Sequence, residues 1–156
     1  MGKLIIKNIG RIVSGDIQKP VLEGSVIVVE ENLIAAIGGE ELLADTGDAT
    51  VVDANGTTVT PGLWDSHVHL TSGDYGTRQK TVGFIESAKN GGVTTMISAG
   101  ECHTPGRPKD PSGTKALALV GHKSFQNVRP AGVKCEGGAL ILEKGLVEKD
   151  FEDLSR

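Results

Sequence analysis

The sequence predicts an α/β chain, with a strand-only segment over residues 1–60 and alternating strands and helices over 61–156. Three observations carry this reading. Short aliphatic and β-branched runs, broken by turn residues, recur up to Thr60. Beyond Pro61 the apolar spacing switches between the strand and helix periods. Apolar runs such as Val26–Val29 and Ala139–Leu142 persist along the whole chain, so its 22 glycines belong to tight turns and close backbone approaches, not to a disordered linker.

In the first segment, Leu4–Ile6, Val26–Val29 and Leu33–Ile37 read as strands. Thr50–Asp53 and Thr57–Thr60 flank Ala54-Asn55-Gly56, a hairpin turn signal, and residues 40–46 (EELLADT) predict a short helical turn. After Pro61, Leu63–Leu70 reads as a strand. Gln79–Asn90 carries Val82, Ile85 and Ala88 at helical spacing and stops at Gly91-Gly92. Val93–Ser98 is a second strand, and residues 104–113 (TPGRPKDPSG) form a Pro/Gly loop. Thr114–Gln126 predicts a helix with Leu117, Val120 and Ser124 on one side. Gly132–Leu142 holds a third strand, with Gly137-Gly138 as its point of division, and Lys149–Leu154 begins another helix. This alternation is the pattern of a parallel sheet with crossover helices. Three such units leave their outer strands with unpaired edges. The pattern stops at residue 156 without a closing strand, so a longer protein or an early-terminated product is expected.

Composition narrows the function classes. The formal net charge is -4 and no Lys/Arg cluster stands out, so no nucleic-acid partner is expected. No apolar run approaches membrane-spanning length, so no membrane partner is expected either. The N-terminal MGKLIIKNIG is too short in its apolar part for a signal peptide, and Ile6 stands where myristoylation needs Ser or Thr. Two cysteines, Cys102 and Cys135, make no disulfide framework, and free thiols in a reducing cytoplasm are the expectation.

The most informative stretch is PGLWDSHVHL, residues 61–70. Alternate residues of a strand share a face. Leu63, Asp65, His67 and His69 therefore lie on one side, and Trp64, Ser66, Val68 and Leu70 on the other. The two histidines are about 7 Å apart at Cα by strand rise, within reach of one divalent ion. Zinc or iron suits imidazole nitrogen. Asp65 either orients a ligand from behind or approaches the metal itself. The alternative is a solvated histidine pair on an edge strand.

Pro61-Gly62 followed by Asp65, His67 and His69, behind an N-terminal β segment, resembles the amidohydrolase superfamily, in its branch of dihydroorotases, hydantoinases and deaminases. IIKNIGRIVSGD, LIAAIGGEEL, GGVTTMISAG, PGRPKD, GTKALAL and ILEKGL extend that likeness along the chain. The resemblance implies a (β/α)8 TIM-type barrel with a small β-sandwich. Residues 1–60 would be the N-terminal share of the sandwich and 61–156 the first three β/α units of an incomplete barrel. It implies His67 and His69 as metal ligands in a binuclear Zn and/or Fe centre, with Asp65 behind them. The bridging group, further histidines and the acid/base aspartate would lie beyond Arg156. The implied reaction is metal-dependent hydrolysis of a cyclic amide C–N bond, 6-oxo-1,4,5,6-tetrahydronicotinate giving 2-formylglutarate and ammonia in nicotinate degradation. The partner is then a small-molecule cyclic amide, with a homo-oligomer as the full-length state. Dihydroorotase-, hydantoinase- and adenine-deaminase-like activities are alternatives. So is a catalytically incomplete fragment that binds metal weakly at most.

Other groups have competing readings. Arg107 and Lys109 are candidate donors to a substrate carboxylate, or plain solvated loop charges. His103 is a substrate candidate at the mouth end of the second strand, or an exposed loop histidine. Lys134, a candidate bridging carboxylated lysine, falls on the third strand where the family's bridge comes from the fourth, and Glu136 and Glu143 share that difficulty. His122 reads as surface. Cys102 and Cys135 lack metal-ligand spacing. Gly73, Asp74 and Tyr75 read equally as a lid or as an ordinary connecting loop. GRPKDPSGTK does not fit a phosphate-binding loop.

Overall fold

A computed structural model of the chain describes residues 2–70, 81–100 and 107–155. It divides into two compact units, Met1–Pro61 and Gly62–Arg156. Among the described residues no helix is long and apolar enough to cross a membrane.

The first unit is built from β1 (Leu4–Lys7), β2 (Arg11–Val13), β3 (Val21–Leu22), β4 (Val26–Glu30), β5 (Leu33–Gly38), β6 (Thr50–Asp53) and β7 (Thr58–Val59). One sheet runs β5-β4-β1-β6 and a second runs β3-β2-β7. The aliphatic run in β4 explains the core. Val26 and Val28 join Ile5 in one buried cluster, while Ile27 joins Ile9 and Ile12 in another. Successive residues of a strand point to opposite faces, so β4 is covered on both sides. The expected helical turn is a 3-10 turn, Glu40–Leu43.

The hairpin read from Ala54-Asn55-Gly56 does not form. Asn55 and Gly56 do take positive φ, 49° and 76°, but β6 pairs in parallel with β1 and β7 in parallel with β2. Gly10 makes this arrangement possible. Its N–H donates to the Thr57 carbonyl at 2.9 Å, and a Cβ at Gly10 would lie 2.1 Å from the Gly56 carbonyl oxygen. The turn therefore carries the chain from one sheet to the other.

The second unit contains β8 (Leu63–Val68), α1 (Thr81–Asn90), β9 (Val93–Ser98), α2 (Pro111–Phe125), β10 (Lys134–Glu136) and α3 (Glu148–Leu154). The sheet order is β10-β9-β8, and both pairings are parallel. Its core gathers Val68, Leu70, Ile85, Met96, Val133 and Cys135, with Phe84, Ala88, Val93 and Phe125 packed against them. The expected β/α succession is present as an open parallel sheet. Its details differ from expectation on α1, on α2 and at β10.

On α1, Ile85 and Ala88 face the core as read, but Val82 is exposed and Phe84 takes its place. Helix α2 starts three residues before Thr114. Asp110 caps it by accepting the Gly113 N–H at 2.9 Å, and Pro111 occupies the first turn, where its missing N–H costs nothing. Its buried face is Thr114, Ala118 and Gly121, not Leu117, Val120 and Ser124. Close backbone approach selects the small residues. A Cβ at Gly137 would lie 2.4 Å from the Gly121 carbonyl oxygen, and one at Gly138 2.5 Å from that of Ala118. Gly137-Gly138 thus ends β10 after Glu136 and lays the following segment against α2, so the third strand is shorter than read.

Helix α3 is tied to α2 by charge. Lys115 Nζ lies 2.5 Å from Asp150 Oδ1 and 3.4 Å from Asp153 Oδ2, and the Val147 N–H donates to Asp150 Oδ2 at 2.9 Å. The Lys115 hydrogen bond, with help from the Val147 N–H, holds the Asp150 carboxyl below its ordinary value. The same contact raises Lys115. A carboxyl depressed in the folded state stabilises above its unfolded pKa of about 3.9 and loses that contribution as pH falls through the folded value. The urea midpoint is therefore expected to stay level through neutrality and fall on acidification below the usual carboxylate range. Asp150→Asn should shrink that acid limb; an unchanged limb would assign it to other carboxylates.

Candidate metal centre

Strand β8 sorts its own side chains. Val68 and Leu70 are buried in the core of the second unit, which turns His69 between them, and His67 before them, the other way. His67 is exposed and His69 half-buried. Their rings meet edge to face, with centroids 5.5 Å apart at an interplanar angle of 89°. The structure thus brings the two imidazoles together at the C-terminal end of a parallel strand, the end at which barrel enzymes place their chemistry.

Asp65 acts on the backbone. Its Oδ1 accepts the His67 N–H at 3.1 Å, which fixes the chain between the carboxylate and the first imidazole. His69 has a further partner that sequence reasoning missed, its Nδ1 lying 2.6 Å from the Gly100 carbonyl oxygen. A carbonyl only accepts, so Nδ1 carries the hydrogen and the lone pair of the neutral ring is on Nε2. Imidazole ligands of metals use this same arrangement, with the far nitrogen's N–H given to a carbonyl or carboxylate. Gly100 reaches the position because β9 ends at Ser98. Beyond it, the Ala99 N–H donates to the Val68 carbonyl at 2.8 Å and the Gly100 N–H to Ser98 Oγ at 3.1 Å. Gly100 has φ +124°, a region L side chains rarely adopt. The one available signal was a glycine just past the end of the second strand.

The remaining candidates are dispersed. Arg107 is ion-paired with Glu143, and Lys109 is exposed. Lys134 pairs with Glu136 at 2.8 Å along the exposed face of β10. His122 sits near the end of α2, with its Nε2 2.8 Å from Gln126 Nε2. Cys135 is a buried free thiol, and burial, followed by the charge of Glu136, pushes its pKa up. Cys102, His103, Gly73, Asp74 and Tyr75 lie outside the described residues. Among the described residues no three His, Cys, Asp or Glu side chains converge on a point where an ion would sit. Two imidazoles, one with its tautomer set by a carbonyl, fit a divalent ion as half of a tetrahedral ligand set.

No protein-family model matches the chain. Over all 156 residues it is 67% identical to enamidase from Eubacterium barkeri, and it spans 40% of that protein's length. The crystal structure of enamidase, described as a new member of the amidohydrolase superfamily, superposes on 99% of the chain and 40% of its own with a TM-score of 0.90 at 67% identity. A Xaa-Pro dipeptidase structure shares the fold at 18% identity, with a TM-score of 0.56 over 96% of this chain and 38% of its own. Along its full length the chain is thus similar in sequence and in fold to part of enamidase, and it spans well under half of that protein.

Proposed function

We propose that the chain is the metal-anchoring part of an enamidase-like cyclic amide hydrolase. The observation that carries this reading is the 67% identity to enamidase over the whole chain, including the segment that places His67 and His69 side by side. In this reading residues 1–60 are the N-terminal share of a β-sandwich, and 61–156 are the first three β/α units of a barrel. The substrate is 6-oxo-1,4,5,6-tetrahydronicotinate. One water opens the amide and a second releases ammonia from the resulting enamine, leaving 2-formylglutarate. This places the enzyme in cytoplasmic nicotinate degradation, as a homo-oligomer when full length.

His67 and His69 hold one ion of a binuclear zinc or iron centre. A divalent ion held there supplies polarisation of the amide carbonyl and a hydroxide nucleophile at neutral pH. The chain's own residues do the positioning. The Asp65 carboxylate holds the His67 backbone, and the Gly100 carbonyl keeps the His69 Nδ1 protonated, which directs its Nε2 lone pair outward from that contact. The test is a chimera in which this chain replaces the matched part of Eubacterium barkeri enamidase. It is expected to contain about two divalent ions per subunit and to open the cyclic enamide. Turnover of dihydroorotate or adenine in its place would move the chain to another branch of the superfamily.

A second reading concerns the 156 residues in isolation. Only two imidazoles converge among the described residues, fewer ligands than a stable zinc site has. The isolated chain is therefore expected to bind one ion weakly at most and to be inactive. Robust hydrolysis by it would overturn this reading.

A further inference from the structure

The segment after β10, residues 137–147, has neither helix nor strand, yet it is fixed at several points. A Cβ at Gly138 would lie 2.5 Å from the Ala118 carbonyl oxygen and 2.8 Å from His122 Cβ, and one at Gly145 3.5 Å from Pro111 Cγ. Glu143 is ion-paired with Arg107, both side chains being largely shielded at 16% and 26% exposure. Between these anchors, Ile141 sits on Gly100. A Cβ at Gly100 would lie 2.5 Å from Ile141 Cγ1 and 2.8 Å from Cδ1, so Ile141 fills the space a side chain there would take. The Gly100 carbonyl is the group that binds His69 Nδ1.

We propose that Ile141, pinned by the Arg107–Glu143 ion pair, is a positioning residue that braces Gly100 so that its carbonyl holds His69 in the Nδ1–H tautomer. Each link is a direct contact. The ion pair joins the segment after β9 to the segment after β10, Ile141 stands two residues before Glu143, and its side chain bears on Gly100, whose carbonyl contacts the imidazole. This gives Arg107 and Glu143 a shared task in place of separate roles toward substrate or metal. The inference rests on the reading of His69 as a metal ligand, but the tautomer can be observed without metal.

The test uses the isolated chain labelled with nitrogen-15 histidine, at a pH above the ordinary imidazole range, with the tautomer read from the ring nitrogen shifts. Wild type is expected to show His69 as Nδ1–H. Ile141→Ala should move it toward the Nε2–H form, and Glu143→Gln should move it the same way by less. Ile141→Val, which keeps the branched contact, should retain the wild-type signal, as should Leu142→Ala at the neighbouring, 74% exposed position. In the chimera with enamidase, zinc affinity should fall about 10- to 100-fold on Ile141→Ala, the usual effect of losing a partner behind a ligand. An unchanged tautomer in Ile141→Ala with a native amide spectrum overturns the proposal. If Ile141→Ala does not fold, an unchanged tautomer in Glu143→Gln overturns it instead. A tautomer that shifts as expected, with a chimera whose metal content His69→Ala leaves unchanged, leaves the bracing standing and removes the ligand role of His69.

Discussion

The chimera carrying His67→Ala and His69→Ala together is expected to lose at least about three orders of magnitude in kcat/KM for the cyclic enamide. That corresponds to about 4 kcal/mol of activation free energy at 1.36 kcal/mol per decade. The argument begins with the strand. Val68 and Leu70 fill the core on one side of β8, so removing the imidazoles from the other side opens no core cavity. His67 is exposed, and its contact with Asp65 runs through the backbone, which alanine keeps. Thermal stability without metal should therefore change little while metal content falls. Each single variant should lose nearly as much as the pair, because one imidazole from this strand cannot take over the other's place and residues acting as a unit are not additive. The measurements are kcat/KM, metal per subunit and Tm. A His67→Ala protein with full activity and full metal content would remove the ligand role assigned to it.

What the sequence made legible was local. The period of two along residues 63–70 places Val68 and Leu70 in the core and leaves the histidines facing the other way, because alternation is a property of the strand itself. The β/α succession was legible for the same reason. What was missed depends on residues distant in sequence. The partners of β6 and β7 are β1 and β2, so a turn signal at Asn55-Gly56 gave no account of the ladders on either side. The face of α2 is set by the approach of Gly137-Gly138, which favours Ala118 and Gly121 over the larger Val120. The partner of His69 is a backbone carbonyl 31 residues away, and any residue type carries one. Arg107 and Glu143 were legible as charges but not as a pair, since 36 residues separate them.

The packing beneath β8 gives the largest expected stability effect. Ile85 is fully buried on α1, in one cluster with Val68, Leu70, Met96, Val133 and Cys135. Truncating it removes the transfer free energy of its side chain and leaves a space its rigid neighbours fill only in part. Ile85→Ala is accordingly expected to cost about 2–5 kcal/mol, a large share of the roughly 5–15 kcal/mol that holds a domain folded. Val82, three residues earlier on the same helix and 53% exposed, is the natural comparison. Val82→Ala should stay within about 0.5 kcal/mol of wild type, although apolar spacing alone would place both residues in the core. Urea denaturation of the two variants measures the difference directly, with equal m values confirming that the same surface is exposed on unfolding. Equal costs for both would return Val82 to the buried face. A large cost confined to Ile85 means that β8 with His67, and His69 just past its end, is held in place from the opposite side, through Val68 and Leu70, by α1.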